Sequence, residues 1–436
     1  MVEKMNKKIM GILIFVLLFL QIQSAIGITQ ETGMMKKRVG VENVDEDIVS
    51  MLYQVNESLI SYYLEKLVEF GPRFTGSETC SNAAQYIHDE FELLGLDVYI
   101  DPWTYIRYQC QNVIATLNGT DPTSDAIFII CAHYDTTETS PGANDDGSGV
   151  AAMLAIANIC SQYSFNHTIR FIAFSGEEVG TYGSHDYAKK SYEKGENIRA
   201  VLNLETFGYT SDGGQELFLL KTERAEWISQ FSQDIAEQYY QYCNLSIIPN
   251  GNRPCDHQAF LEFGYDGVQF VQLNRGDYPL HTPEDSLDKI NYSYLVNVTK
   301  LILAIAFELV NTPIDVQIRI TTPYEGFFYF MDIPLIHLPG LNIRRTGLRG
   351  MTYILGKPIV RVNITTESEI GSVFFCIDGF SDFYSECTQP PYEWRIQKII
   401  WARFPLTGKH TISVYVWTTD GKVAYDEMDI FIFQLF

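Results

Sequence analysis

Four short, almost wholly apolar runs constrain the fold of this chain more than any other feature. They are Ala126–Ala132, Thr168–Ser175, Ala200–Phe207 and Gly267–Leu273. Apolar runs of this length, rich in β-branched residues, predict strands that are buried on both faces. Helical patterns lie between and after them, at Val150–Cys160, Arg224–Tyr242 and Tyr292–Val310. This alternation predicts a three-layer α/β/α domain with a mixed, mostly parallel sheet.

The sequence pattern changes near residue 313. From Val316 onward, short alternating runs are separated by turns, which is typical of an all-β, immunoglobulin-like sandwich domain. We therefore predict a signal peptide at 1–27, a flexible lead at 28–44, an α/β domain at 45–312 and a β-sandwich at 313–436. The sandwich would bind a cell-surface or other protein, or carbohydrate. Its aromatic residues Tyr392, Trp394 and Trp401 are expected in the core, with a surface platform as the alternative.

The first 27 residues have the pattern of a secretion signal. Lys4, Lys7 and Lys8 precede the apolar run Ile9–Leu20, and residues 25–27 resemble a cleavage site. The apolar run is short for a full membrane span of about 20 residues, although an uncleaved anchor is the alternative. We therefore expect a secreted, extracellular protein, or a membrane-anchored one if the signal is retained.

The charge of the chain excludes one class of partner. Its 54 acidic and 31 basic residues give a formal net charge of -23, which argues against nucleic acid or an anionic membrane surface. Seven Asn-x-Ser/Thr triplets fit a secreted glycoprotein. These triplets begin at Asn56, Asn118, Asn166, Asn244, Asn291, Asn297 and Asn363.

Eight cysteines follow the predicted signal, and an extracellular setting permits disulfides. Cys243 with Cys255, and Cys376 with Cys387, are close enough in sequence to bracket single loops. Cys131 lies in an apolar element and is expected to be a buried thiol. The sequence alone leaves the connectivity open.

Polar residues follow the predicted strands at the carboxyl ends, where open α/β sheets place their ligands. The histidines and carboxylates in these positions are His133, Asp135, Asp145, Glu177, Glu178, Glu205 and His281. Two histidines and three carboxylates can hold two divalent metal ions, with one carboxylate bridging. Adjacent residues at a strand end face different directions. Glu178 can therefore bind a metal ion while Glu177 reaches a water molecule bound to the metal. We predict two zinc ions per chain, with Glu177 as the general base.

Several ordered motifs resemble those of a known family. The motifs are AHYD, PGANDDGSG, FSGEEVGTYGS, NLETFGY, CDHQAF and HTPEDSLDKI. They are similar to secreted, di-zinc, co-catalytic metallopeptidases, which include bacterial leucyl aminopeptidases, aminopeptidase Y and, more distantly, glutamate carboxypeptidase. The resemblance covers about residues 50–310 and implies a phosphorylase/hydrolase-like zinc peptidase fold. It also implies an exopeptidase that removes N-terminal residues from peptides with a free N-terminus.

The resemblance implies a role for each site residue. One metal would be held by His133, Asp145 and Glu205, and the other by Asp145, Glu178 and His281. Asp135 would orient His133, while Asp285 and Asp256 would provide outer support or site wall. Glu177 would take a proton from a hydroxide-forming water that bridges the metals and pass it to the departing amine.

Two positions depart from the family pattern. Glu205 stands where many relatives have Asp, so its carboxylate is one methylene farther from the backbone. Leu280 stands where some relatives have a Tyr that stabilises the oxyanion, and Tyr278 or Tyr209 are the candidates to replace it.

Other functions remain open at this point. A carboxypeptidase of the same family differs only in pocket residues that the sequence does not position. A glutaminyl cyclase shares the fold and uses one zinc ion, but the complete second ligand set argues against it. A catalytically inactive receptor-like or adhesion-like relative would lose ligands that are all present here.

Overall fold

The computed structural model describes residues 46–122, 124–211, 213–222, 225–312, 316–323, 326–337, 352–356, 358–366, 368–378, 384–396, 408–419 and 422–433. The predicted signal peptide and flexible lead lie outside the described residues, as do Pro313 and Trp401. Described residues from Ser50 onward belong to one compact unit.

The α/β region alternates strands and helices along the chain. Its helices are α1 Glu46–Gln54, α2 Glu57–Glu69, α3 Glu78–Leu93, α4 Gly147–Cys160, α5 Tyr182–Lys194, α6 Glu226–Gln238, α7 Tyr240–Cys243, α8 Asp256–Glu262 and α9 Tyr292–Asn311. Its strands are β1 Asp97–Tyr105, β2 Tyr108–Leu117, β3 Ala126–His133, β4 Thr168–Phe174, β5 Asn197–Glu205, β6 Glu216–Lys221, β7 Ser246–Gly251 and β8 Gly267–Val271. A short 3-10 helix covers Leu287–Lys289.

The described strands of this region form one mixed sheet in the order β1-β2-β4-β3-β5-β8-β6-β7. Its centre, β4-β3-β5-β8, is parallel, and antiparallel strands flank it. Helices α2, α4 and α9 pack together over the sheet, and α5 packs against α8 elsewhere on it. The predicted three-layer fold with a mixed, mostly parallel sheet is therefore confirmed.

The four apolar runs occupy the centre of this sheet because their side chains are apolar on both faces. Every residue of β3 and of β8 is buried. In the parallel register His133 pairs with Phe174, and Glu205 pairs with Val271. The polar residues that follow these strands are consequently brought to one edge of the sheet.

Several elements were not predicted from the sequence. Helix α5 carries many polar residues, β6 lies near the edge of the sheet, β7 is the edge strand, and α8 has only seven residues. The helix predicted at Arg224–Tyr242 is interrupted at Tyr239, which separates α6 from α7. These elements have weak periodicity and depend on the neighbours they pack against.

The remaining described strands form a separate β-rich region. They are β9 Gln317–Thr322, β10 Phe327–Phe330, β11 Ile333–His337, β12 Thr352–Leu355, β13 Ile359–Thr365, β14 Ile370–Ile377, β15 Tyr384–Cys387, β16 Glu393–Arg395, β17 Gly408–Thr418 and β18 Val423–Phe433. Two sheets, β11-β10-β12-β18-β17-β14-β15 and β16-β13-β9, contribute to one apolar core. Tyr392 and Trp394 pack against this core, as expected for strand aromatics. The immunoglobulin-like assignment and the boundary at residue 313 stay predictions.

The β-rich region contacts the α/β region directly. The Arg319 guanidinium lies 4.3 Å from the centroid of the Tyr265 ring. Phe327 packs against the apolar cluster that covers the α5 and α8 face of the large sheet. Helix α9 is long and apolar enough to cross a membrane by length and composition, but 72% of its apolar window is buried inside the structure.

Candidate metal centre

His133 ends β3 as an almost fully buried imidazole. Its Nδ1 lies 3.0 Å from the backbone oxygen of Asp135. Because a carbonyl oxygen only accepts, this bond places the proton on Nδ1 of a neutral ring and leaves a lone pair on Nε2. Nε2 faces Asp145 Oδ1 at 3.3 Å and Glu205 Oε2 at 3.5 Å. The ring is thus held with its metal-binding atom among carboxylate oxygens.

Asp145 connects two groups of possible ligands. Its Oδ1 faces His133, and its Oδ2 lies 2.9 Å from Nε2 of His281. Nε2 of His281 is also 3.4 Å from Glu178 Oε2. Within each group, His133-Asp145-Glu205 and Asp145-Glu178-His281, the ligand atoms lie within 4.8 Å of one another. This is the arrangement expected of a carboxylate that bridges two ions. These five residues are called the metal centre below.

The histidines and carboxylates of the metal centre shift one another's pKa values. Burial alone would raise the pKa of Asp145, but His133 and His281 outweigh it and hold the pKa well below its ordinary value. Burial raises the pKa of Glu178 to about 7, and the Asp145 carboxylate adds to the rise. The hydrogen bond with Asp145 raises the pKa of His281 to about 9. The carboxylates thus favour positive charge at this place.

Asp135 contacts both His133 and the Glu177-Glu178 turn. Its backbone oxygen, and not its carboxylate, accepts the hydrogen bond from His133, while Oδ1 lies 3.6 Å from Nδ1. The carboxylate accepts from the backbone N–H groups of Glu177 and Glu178 at 3.3 and 3.4 Å. It also accepts from the Thr75 hydroxyl at 2.6 Å. Asp135 therefore positions the Glu177-Glu178 turn as well as His133.

Glu177 precedes the ligand Glu178 in the turn after β4. The residue is partly buried. Burial raises the pKa of its carboxyl well above the ordinary value, and the nearby Glu205 charge adds to the rise. A protonated His133 would act in the opposite direction and lower this pKa. The structure thus places Glu177 in the electric field of the metal centre, where a general base is expected.

Asp285 supports the loop that carries Asp145. Its two carboxylate oxygens accept from the backbone N–H groups of Asn144 at 2.8 Å and Asp145 at 3.1 Å. Asp285 also accepts from the Tyr278 hydroxyl at 2.8 Å. Because that hydroxyl already donates to Asp285, Tyr209, whose ring lies 4.9 Å from that of Tyr278, is the better candidate for contact with substrate.

Three further residues of the loop that carries Asp145 hold it in place, and this role was not predicted from the sequence. The Asn144 side chain accepts from the Gly208 backbone at 2.6 Å, and the Ser148 hydroxyl accepts from Phe207. Asp146 caps α4 by accepting from Gly149, and the same Oδ1 atom accepts from the Thr206 backbone at 3.0 Å. These bonds join the Asp145 loop to the segment after Glu205. Asn-Asp-Asp-Gly-Ser-Gly is the only sequence signal, and it equally predicts a turn and a cap.

A thiol and an arginine contact the outer side of the metal centre. The Cys255 thiol lies 3.1 Å from Glu205 Oε2, and its sulfur accepts from the Asn203 side chain at 3.1 Å. Asp256, predicted as outer support, is fully buried, and burial raises the pKa of its carboxyl to about 7. Arg275 donates to the Thr206 hydroxyl at 3.1 Å, and its guanidinium interacts with the charges of Glu205 and Asp145.

The other histidines whose side chains the structure describes have partners away from the metal centre. His167 contacts Ser124, His185 contacts Glu262, and His410 contacts Asp378. His88 contacts the neighbouring Asp89. His257 is fully buried beside Asn252, consistent with the structural role expected of it.

The residues present fit zinc. Within the described part of the chain, His133 Nε2 and Glu178 Oε1 are buried without a hydrogen-bond partner. Buried polar atoms without a partner are costly, and one cation in each group of ligands would satisfy the atom that belongs to it. Imidazole nitrogens and carboxylate oxygens are the donors that zinc accepts in catalytic sites.

Comparisons with known proteins agree with this chemistry. Residues 112–306 match the sequence model described as Peptidase family M28. The chain is 32% identical over 206 residues to Aminopeptidase YwaD of Bacillus subtilis, an alignment that covers 46% of this chain and 45% of that protein. It is 26% identical over 338 residues to a probable zinc metalloprotease of Pyrenophora tritici-repentis, covering 62% and 77%. The chain thus spans about half the length of the first relative.

Solved structures show the same fold. LapB from Legionella pneumophila matches with a TM-score of 0.57 and 26% identity, over 62% of this chain and 76% of that one. The glutaminyl cyclase of Porphyromonas gingivalis matches with a TM-score of 0.52 and 20% identity, over 58% of this chain and 99% of that one. The second likeness bears on the fold alone.

Proposed function

We propose that this chain is a secreted zinc aminopeptidase, because residues 112–306 match the model of Peptidase family M28 and the similar proteins include probable zinc metalloproteases. The observation that carries the proposal is the shared carboxylate of Asp145, which faces His133 with one oxygen and His281 with the other. His133, Asp145 and Glu205 would hold one zinc ion, and Asp145, Glu178 and His281 a second. The peptide substrate would enter with a free N-terminus.

The chain's own residues account for the proton transfers. Bound zinc ions supply Lewis acidity, which makes a water molecule acidic at neutral pH and polarises the scissile carbonyl. The Glu177 carboxylate accepts the proton of the attacking water and delivers it to the nitrogen of the leaving amine. Asp135 holds the Glu177 backbone in place during both transfers.

The acidity of the site supports an aminopeptidase. The carboxyls of Glu177 and Asp256 lie near the three ligand carboxylates. A substrate ammonium group would be attracted to these acidic surroundings. The name of the Bacillus subtilis relative points the same way.

Secretion and the role of the β-rich region complete the proposal. The predicted signal peptide supports export, with a retained membrane anchor as the alternative. The β-rich region would bind a cell-surface protein, another protein or carbohydrate, and the acidic chain would not bind nucleic acid.

Replacing Glu177 tests the proposed base. Glu177→Gln keeps the size of the side chain but removes the proton acceptor, so kcat should fall about 10²–10⁴-fold. Zinc content, measured by elemental analysis, should stay at about two per chain as in the wild-type protein. Glu193→Gln on the exposed part of α5 is the matched control and should keep full activity. Full activity of a metal-loaded Glu177→Gln protein would refute the base.

A substrate panel separates the aminopeptidase from the carboxypeptidase. The position of Arg275 favours the carboxypeptidase, because a half-buried guanidinium beside Glu205 could bind a substrate carboxylate. We expect cleavage of unblocked aminoacyl substrates and none of N-blocked ones. Cleavage of N-blocked peptides with a free C-terminus, lost in Arg275→Ala, would establish the carboxypeptidase instead. About one zinc ion with cyclisation of N-terminal glutamine would indicate a cyclase, and no metal with no turnover an inactive relative.

A further inference from the structure

Two buried cysteines meet near Asp135, outside the metal centre. Cys80 lies in the first turn of α3, and Cys110 lies in β2, 30 residues later. Their sulfur atoms are 3.5 Å apart, and their side chains are 0% and 9% exposed. All eight cysteines are free thiols in the structure, and this includes the pairs that sequence spacing suggested, Cys243 with Cys255 and Cys376 with Cys387.

The register of the β-rich region explains why one of those pairs is not formed. In the pairing of β14 with β15, Cys387 lies opposite Val373. Cys376 is three residues from Val373, so its side chain points to the other face of the sheet. Cys255 is already engaged with Asn203 and Glu205. Neither arrangement resembles the close thiol contact of Cys80 and Cys110.

The backbones around Cys80 and Cys110 are also in close contact. A Cβ atom added to Gly76 would lie 3.2 Å from the backbone oxygen of Gln109. The loop before α3 therefore lies directly on β2, next to Cys110. Because the backbones are this close, small side-chain rotations are enough to shorten the 3.5 Å distance between the sulfur atoms to the bonded distance of about 2.05 Å.

We propose that Cys80 and Cys110 form a disulfide bond when the chain folds in the presence of a disulfide oxidant, and that the bond anchors the loop carrying Thr75. Thr75 donates to the Asp135 carboxylate, which in turn holds the backbone of Glu177 and Glu178. The crosslink would therefore tie the support of the metal centre to β2.

The reaction is ordinary thiol–disulfide exchange. The Cys110 thiolate attacks one sulfur of the oxidant, here glutathione disulfide or an oxidised dithiol protein, and releases one thiolate from it. Cys80 loses its proton, and its thiolate attacks the Cys110 sulfur of the mixed disulfide, which releases the second thiolate. Two electrons pass from the cysteines to the oxidant, whose thiolates take up the two protons.

The environment favours Cys110 as the attacking thiol. The hydrogen bond from Cys80 lowers the pKa of Cys110 to about 6, although burial opposes this change. Cys80 follows the N-cap residue Ser77, which accepts from the Cys80 backbone at 3.1 Å. The same contact with Cys110, together with burial, raises the pKa of the Cys80 thiol well above its ordinary value, so Cys80 keeps its proton until Cys110 has reacted.

Disulfide mapping tests the proposal directly. The purified full-length chain is unfolded, refolded with glutathione disulfide, and then denatured with excess iodoacetamide but no reductant. Cleavage after Arg107 separates the two cysteines, and chymotrypsin separates Cys110 from Cys131. We expect the peptides that contain Cys80 and Cys110 to be found crosslinked, and a reductant should separate them. Recovery of both as alkylated free thiols, or in crosslinks with other cysteines, would overturn the proposal.

Stability measurements distinguish a covalent bond from simple packing. Cys80→Ser and Cys110→Ser should each lower the Tm of the refolded protein by about 5 °C. The double variant should lose no more than either single one, because both remove the same bond. The same single variants should release zinc to a chelator several-fold faster, whereas Cys160→Ser, at another buried thiol, should not. Additive losses in Tm would show that the two thiols only pack together.

Discussion

At the scale of single residues, the metal centre depends on side chains that bind backbone N–H groups. The Asp135 carboxylate accepts hydrogen bonds from the backbone of the Glu177-Glu178 turn, and the Asp285 carboxylate accepts them from the Asn144-Asp145 turn. A carboxylate that accepts two backbone N–H groups fixes the position of both residues. The precise placement of the ligands therefore depends on residues that are not ligands themselves.

Asp285→Asn tests this dependence. The amide offers one acceptor instead of two, so the Asp145 N–H loses its partner and the shared carboxylate becomes less well positioned. We expect zinc affinity to fall about 10–100-fold, measured by competition with a chelator. Asp288→Asn, three residues later and 75% exposed, is the control and should leave the affinity unchanged. Equal affinities in the two variants would contradict the positioning role.

His257 predicts a specific pH dependence of stability. Burial lowers the pKa of this imidazole to about 3, below its unfolded value of about 6.5. Above pH 6.5 neither state binds the proton, whereas between about pH 6.5 and 3 only the unfolded state does, so stability falls as the pH falls. The His257→Gln variant has no group at this position that binds a proton in this pH range, so it lacks this contribution to the pH dependence.

The measurement is the urea-induced unfolding of the metal-free wild-type and His257→Gln proteins. Relative to the variant, the wild-type protein should lose roughly 2 kcal/mol between pH 6.5 and 5. Parallel pH curves for the two proteins would show that His257 accepts a proton in the folded state.

At the scale of elements, the site is assembled by close contacts between loops and strand ends. Helix α5 begins directly after the turn that carries Glu177, and its first turn lies against β2 and β4 through Gly183. The Gly183 backbone oxygen also accepts from the Asn112 side chain at 3.0 Å. There is no room for a side chain at this contact.

Gly183→Ala should disturb the whole turn. The added Cβ would lie 2.1 Å from the Ser175 backbone oxygen and 2.4 Å from Asn112 Oδ1, so α5 must move. We expect a loss of about 2 kcal/mol in unfolding free energy and weaker zinc binding. Gly251→Ala in β7 is the matched control, because no atom lies within 4 Å of its added Cβ. Comparable losses in urea unfolding of the two variants would contradict the steric argument.

At the scale of the molecule, the α/β and β-rich regions share one compact unit from Ser50 onward. Arg319 stacks on Tyr265, and Phe327 extends the apolar cluster of the large sheet. We expect contacts of this kind to couple the unfolding of the two regions. The metal centre should therefore influence the stability of both.

Removing zinc should shift one common unfolding transition. Without a cation, the buried carboxylates of the metal centre repel one another, and the stabilisation supplied by binding is lost. Differential scanning calorimetry should show a single transition for both regions, at lower temperature after chelation and restored by added zinc. Two transitions, of which only one moves on chelation, would show that the regions unfold independently.

Much of the fold follows from local sequence patterns. Runs such as Ala126–Ala132 are apolar at every position, which only a strand in the middle of a layered sheet accommodates. By contrast, α5 and the edge strand β7 were not predicted, because their polar sequences have no strong period and depend on neighbours. The predicted roles of the metal ligands and of Glu177 remain predictions to be tested by the experiments above.

The sequence by itself determined which apolar strands are followed by polar residues, the family resemblance and the residue types able to bind zinc. These depend on local periodicity and on motifs a few residues long. Only the tertiary structure decided that Asp145 faces both histidines, that Asp285 holds Asp145, and that Cys80 meets Cys110. The reason is physical: such contacts join segments far apart in the chain, and their distances depend on how whole layers pack.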